Sequence, residues 1–173
     1  MACAALNVRR VSRQQLAKEE ITLAVKPIPE GYHSVTPYLV VQGVPTLLDF
    51  LKRAFDATEI FRMPRPDGTI MHAEVKIGDS MLMLSDENPD RGAVAPSGKG
   101  RSASLMFYTN DVDTVFKRAI DAGASSIEAP TDMFWGDRMG NLMDPFGHQW
   151  AIATHKEDVA PDEMEKRMQA IGT

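Results

Sequence analysis

The segment "IMHAEVKI" at 70–77 alternates apolar and polar positions with a period of two. That period belongs to a strand with one buried face. Leu47, Leu48, Leu51, Ala54 and Phe55 recur instead at helical spacing, which predicts a helix over about 44–56 with Pro45 in its first turn. Strands are expected near 33–41, where "YLVV" supplies aromatic and β-branched residues, and near 58–63, 70–77 and 80–86. The second half repeats the order. A strand near 103–110 precedes a helix near 112–122, with Asp111 as N-cap and Gly123 as its stop, and strands follow near 125–129, 139–143 and 148–155. The Gly-, Pro- and Ser-rich stretch 87–102 reads as a connector.

The two halves share more than order. "LKRAFDA" at 51–57 matches "FKRAIDA" at 116–122, an offset of 117 − 52 = 65, and Gly78 and Gly147 differ by 69. The drifting offset marks two copies of one strand–helix–strand–strand–strand unit, separated by small insertions. The fold class is therefore α+β, built from two βαβββ modules. Module one spans about 33–88 and module two about 101–156, within one domain over 31–158. Residues 1–30 read as an N-terminal extension and Pro-rich linker without the apolar core of a secretory signal. Residues 159–173 read as a C-terminal helical tail, opened by Pro161.

Composition narrows the function classes. The net charge is −5 and no basic run is present, which argues against nucleic acid as a partner. No apolar stretch reaches the roughly 18–20 residues of a membrane span. The single cysteine, Cys3, allows no internal disulfide framework or thiolate metal cage, and fits a cytoplasmic setting. Eleven methionines, among them Met81, Met83, Met106 and Met143, suit core filling or an adaptable apolar pocket.

"MHAEVKIGDSMLML" and "DMFWGDRMGNLMDPFGHQWAIATHKEDV" within this repeat resemble the vicinal oxygen chelate superfamily, that of glyoxalase I, bleomycin resistance proteins and extradiol dioxygenases, and within it the PhnB-like branch. The resemblance covers about 33–158. It implies two modules forming a curved mixed sheet around a small-molecule ligand cleft, and a homodimer. Metal-dependent members place a His or Glu on the first and last strand of each module. Those positions fall at Thr36, Leu82, Ser104 and Ala151, none of which suits a divalent ion. No cofactor is therefore expected, and the resemblance then favours binding, as in bleomycin resistance proteins, over turnover.

Other polar groups remain. His72 and Glu74 share one face of their strand and are candidates for substrate contact, for general acid–base work, or for a relocated divalent metal with His148 or His155. A hydrogen-bonded, half-solvated strand face is the plain alternative. A three-residue turn at 77–79 sets Leu82 beside Glu74, and a two-residue Gly-Asp turn reverses that facing. Trp135, Asp137 and Arg138 suit a flat or anionic ligand, or else a structural bridge from Arg138 to Asp137 or Asp144. Tyr38, Met106 and Tyr108 are in phase with the cleft, whereas Trp150 is in phase with Ile152 and reads as core. The leading expectation is a metal-free small-molecule binding protein. The alternatives are a metal-dependent lyase, isomerase or dioxygenase with an unusual ligand set, and a cofactor-free enzyme using His72 or Glu74.

Overall fold

A computed structural model describes residues 27–97 and 103–171. The expected extension, with Cys3, therefore lies almost wholly outside the described residues, as does part of the connector. The chain divides at Gly31, and the described residues from there to Ile171 form one compact unit, which includes the helix over the stretch that the sequence reads as a tail.

Module one runs β1 (Tyr38–Val41), α1 (Val44–Phe55), β2 (Thr58–Pro64), β3 (Ile70–Ile77) and β4 (Ser80–Asp86). Module two repeats this as β5 (Leu105–Tyr108), α2 (Val112–Asp121), β6 (Ser125–Asp132), β7 (Asp137–Met143) and β8 (Gln149–His155), and α3 (Pro161–Ile171) follows. Each module has its own mixed four-stranded sheet, in the orders β1-β4-β3-β2 and β5-β8-β7-β6. The first and last strands pair in parallel, and the others antiparallel. β1 and β5 are shorter than the sequence pattern predicts. Residues 33–37 carry no regular structure, because Pro37 supplies no backbone donor to a ladder.

The helices cover one face of each sheet. Leu47, Leu48, Leu51, Ala54 and Phe55 are all buried, as their spacing predicts. Phe55 packs against both Phe107 (ring centroids 5.4 Å) and Trp150 (4.6 Å), so one hydrophobic cluster runs through both modules. The repeated Lys-Arg-Ala has a structural meaning at this junction. Arg53 donates to the carbonyl of Ala122 (3.0 Å), and Arg118 donates to that of Ala54 (2.7 Å) and pairs with Asp56. Each arginine thus satisfies a carbonyl at the C-terminal end of the other module's helix, where a cation is also favoured by the helix dipole.

The helix starts are also held from a distance. Asp86, at the end of β4, accepts from the backbone N–H of Gly43 (2.7 Å), Val44 (3.0 Å) and Ile70 (2.6 Å). Thr154, at the matching place in β8, accepts from Val112 (2.8 Å). Asp111 caps α2 locally through Thr114, as expected.

Candidate functional site

β3 settles one facing question. Ala73, Val75 and Ile77 are buried under α1, while His72, Glu74 and Lys76 look away from it. Ile77 pairs with Ser80, so the turn is the two-residue Gly78-Asp79. Glu74 then lies opposite Met83, and Leu82 pairs with Val75 on the helix-covered side. This corrects the three-residue alternative, and it moves the fourth superfamily position from Leu82 to Met83. The parallel pairs Tyr38–Met83 and Met106–Ala151 confirm the shift, since 106 − 38 and 151 − 83 both equal 68.

On this open face four polar side chains form a chain. Tyr38 Oη lies 3.0 Å from His72 Nδ1, and His72 Nε2 lies 3.0 Å from Glu74 Oε1. Tyr32 also hydrogen-bonds Glu74. A carboxylate only accepts, so Nε2 carries the proton of that bond, and the roles of Tyr38 Oη and His72 Nδ1 follow the state of the ring. The bond from Tyr32, then that from His72, holds the Glu74 carboxyl below its ordinary range. Burial, then the contact with Glu74, pushes the Tyr32 phenol up to about 12. Phe61 flanks His72 at 6.2 Å between ring centroids.

Module two builds a second cluster around Asp137, which is 5% exposed. Its carboxylate accepts from Tyr108 Oη (3.0 Å) and Trp135 Nε1 (3.1 Å), and meets His155 Nδ1 at 2.8 Å. Burial acts to raise its pKa, but these contacts, His155 foremost, hold it below the usual range. His155 Nε2 reaches Asp158 at 3.0 Å, and the two carboxylates, Asp137 first, raise the imidazole pKa. Asp137 likewise pushes the Tyr108 phenol up. The Trp135 loop is fastened from behind. Arg167 of α3 pairs with Glu157 (2.8 Å) and reaches the Phe134 carbonyl.

Arg138 is not part of this cluster. One residue further along β7, it points to the other face, where Asp113 holds it through two bonds of 2.8 Å and Asp132 through one of 3.2 Å. Neither Asp137 nor Asp144 is its partner. Trp150 is core, 3% exposed, with Nε1 donating to the buried Asp144 at 3.1 Å. His148 sits beside that same carboxylate at 3.4 Å.

A cavity of about 470 Å³ opens between the modules. Its walls are the segment 33–37, the turn at Gly78-Asp79 with the start of β4, and β5. Met106 and Tyr108 line it, as does Thr36. Tyr38, His72, Glu74, Trp135 and Asp137 do not, although Tyr108 joins the cavity to the Asp137 cluster. The candidates read from the sequence thus fall in four places: the cavity, the Tyr38–His72–Glu74 chain, the Asp137 cluster and, for Arg138, the opposite face. Sequence reasoning passed over Tyr32 and gave His33 no role. Both precede the first strand, where no periodicity marks a facing.

The metal positions that the resemblance implies become Thr36, Met83, Ser104 and Ala151 with this register. Two hydroxyls, a thioether and a methyl do not fit a hard or borderline divalent ion. Among the described residues, no group of three or more His, Cys, Asp or Glu side chains is gathered to hold a metal. His155 pairs with Asp137, and His148 Nδ1 lies buried 3.4 Å from Asp144 without a hydrogen bond, both in module two rather than beside His72 and Glu74.

The glyoxalase/bleomycin resistance protein/dioxygenase superfamily model matches residues 31–152. An uncharacterised protein of Mycobacterium tuberculosis strain H37Rv is 36% identical over 155 residues, covering 87% of this chain and 89% of its own. An uncharacterised Arabidopsis thaliana protein is 24% identical over 131 residues, 72% of this chain and 79% of its own. Among solved structures, TioX from Micromonospora sp. ML1 matches with a TM-score of 0.53 and 26% identity, over 70% of this chain and 98% of that one. The PhnB protein of Bacillus cereus matches with a TM-score of 0.57 over 70% and 99%, a likeness of fold at 17% identity.

Proposed function

The chain belongs to the glyoxalase/bleomycin resistance protein/dioxygenase superfamily, and from that premise we propose that it is a small-molecule binding protein of the sequestering type, without the superfamily's usual metal. The observation that carries this reading is the cavity of about 470 Å³ between the modules. Its volume suits a drug-sized ligand, and its wall of Met, Leu, Phe and Trp side chains with a few polar groups is the make-up of a binding pocket. Met106 and Tyr108 contact the ligand directly in this reading. Tyr38, His72 and Glu74 extend the contact surface on module one, and Trp135 and Asp137 on module two. The functional unit is a homodimer, in which a second copy covers apolar side chains that one chain leaves exposed, among them Phe61 and Met63.

Calorimetric titration with a panel of planar apolar compounds tests the reading. Saturable 1:1 binding per chain, weakened by Met106→Lys, is the expected result. Elemental mass spectrometry of protein loaded with Mn, Fe, Ni or Zn is the companion measurement. A stoichiometric metal lost on substituting His72 and Glu74 would overturn the metal-free reading.

One observation favours a second reading, a cofactor-free acid–base enzyme. The Glu74–His72–Tyr38 chain is ordered as a carboxylate orienting an imidazole that meets a hydroxyl. Turnover with a bell-shaped pH–rate profile, abolished by His72→Ala and indifferent to chelators, would place this reading first.

A further inference from the structure

The cavity wall has a one-sided hydrogen-bonding character. Among the described lining residues, four side chains other than His33 carry an O–H or N–H donor, and each spends it within the protein. Tyr108 donates to Asp137 (3.0 Å) and Ser80 to Asp79 (2.9 Å). Trp150 donates to Asp144 (3.1 Å) and Thr36 to the His33 carbonyl (3.5 Å, the longest of the four). The indole has nothing left to offer. The three hydroxyls keep only lone pairs, and a hydroxyl whose proton is committed can only accept. No Lys or Arg lines the cavity, and the one acidic side chain on its wall is Asp79. His33, exposed at the rim, is the single remaining side-chain donor.

Taking the cavity as a ligand site, as proposed above, we infer that it selects a neutral or cationic ligand carrying its own N–H or O–H donors on an apolar ring, an aromatic amine being the simplest case, and rejects anions. An ammonium group gains the Asp79 carboxylate and the lone pairs of Tyr108, Ser80 and Thr36. A carboxylate or phosphate there finds no side-chain donor but His33 at the rim, and it faces the Asp79 carboxylate. The ring lies against Met81 and Met106, whose thioethers adapt to aromatic faces. The chain's net charge of −5 adds attraction for a cation at long range.

Three compounds with one ring separate the possibilities: tryptamine (ammonium), 3-methylindole (neutral) and indole-3-acetate (carboxylate). Their binding to the unmodified full chain is measured by isothermal titration calorimetry. Tryptamine is expected to bind about tenfold or more tighter than indole-3-acetate, the ratio a single charge-assisted contact supplies. The gap should shrink in Asp79→Asn and in Tyr108→Phe. If 3-methylindole binds but tryptamine is no tighter than indole-3-acetate, the donor-selective wall is refuted while the cavity remains a ligand site. If none of the three binds, the cavity reading falls and the inference with it.

Discussion

Asp137 is a buried carboxylate that survives by being surrounded with donors, and it concentrates consequences in one side chain. Asparagine at 137 keeps one acceptor oxygen and turns an amide toward groups that need an acceptor. Tyr108 and Trp135 share Oδ2 while His155 meets Oδ1, so the amide nitrogen unpairs at least one of the three, at a cost of about 1–3 kcal/mol. Urea denaturation of Asp137→Asn should register that loss, with a shift in Trp135 emission. His155 supplies a second test, in pH. Its pKa is raised in the fold by Asp137 and Asp158. Its contribution to stability is therefore complete below the ordinary histidine value, about 6.5, and is lost as pH rises through the raised folded value. Stability should decline across that window, and the decline should be absent in His155→Gln. The sequence singled out Asp137 and Trp135 for their chemistry but could not pair them, because the partners Tyr108 and His155 lie 29 and 18 residues away on other strands. It also assigned Arg138 to the same grip. Strand alternation separates neighbours onto opposite faces, and which neighbour faces inward depends on where β7 begins. That start was expected two residues later than it falls.

At the level of elements the repeat was the most legible feature, and its purpose the least. Strand and helix periods located β3, β4 and α1 to within a residue, because each has one fully buried face. The short strands β1 and β5 were overestimated, since β-branched and aromatic residues continue past the point where the ladder stops. The "KRA" match marked the duplication without revealing that its arginines exchange across the module junction. Such a contact joins residues 69 and 64 positions apart and leaves no periodicity. Arg118→Ala removes a donor from the Ala54 carbonyl and a partner from Asp56. It should cost about 1–2 kcal/mol by thermal or urea unfolding, within the range for hydrogen bonds from charged groups that are partly exposed. The two remote helix caps allow an internal comparison. Asp86 serves three backbone donors and Thr154 serves one. Asp86→Ala should therefore destabilise by about 3 kcal/mol or more, and Thr154→Val by only about 1 kcal/mol, on the scale of one unsatisfied buried donor each. Equal losses would mean that water replaces the Asp86 carboxylate, and that the cap does not hold α1.

For the whole molecule, the question is which surface a second copy would use. The outer strands β2 and β6 are poor templates for strand addition. β2 ends in Pro64 and β6 carries Pro130, and the register is interrupted twice along each pair. Proline lacks the donor an added strand needs, and bulges turn an edge away from a flat partner. The open sheet faces are different. On module one, Tyr38 is 47% exposed, Phe61 43% and Met63 39%, with Met63 directly across from His72. On module two, Met106 and Tyr108 are 47% and 55% exposed. Apolar surface of this kind associates by burial rather than by backbone pairing. The homodimer proposed above is then a face-to-face contact that walls off the cleft, not an extended sheet. Light scattering behind size-exclusion chromatography should return twice the 19.1 kDa of one chain. That mass should hold at high salt, where apolar contacts persist and ionic ones are screened. Met63→Glu, which puts a charge into the face, should return the protein to one chain's mass. Thr58→Lys, on the edge strand, should leave the dimer intact. A dimer broken by the edge substitution and indifferent to the face substitution would mean that strand pairing, against the proline and bulge pattern, holds the copies together.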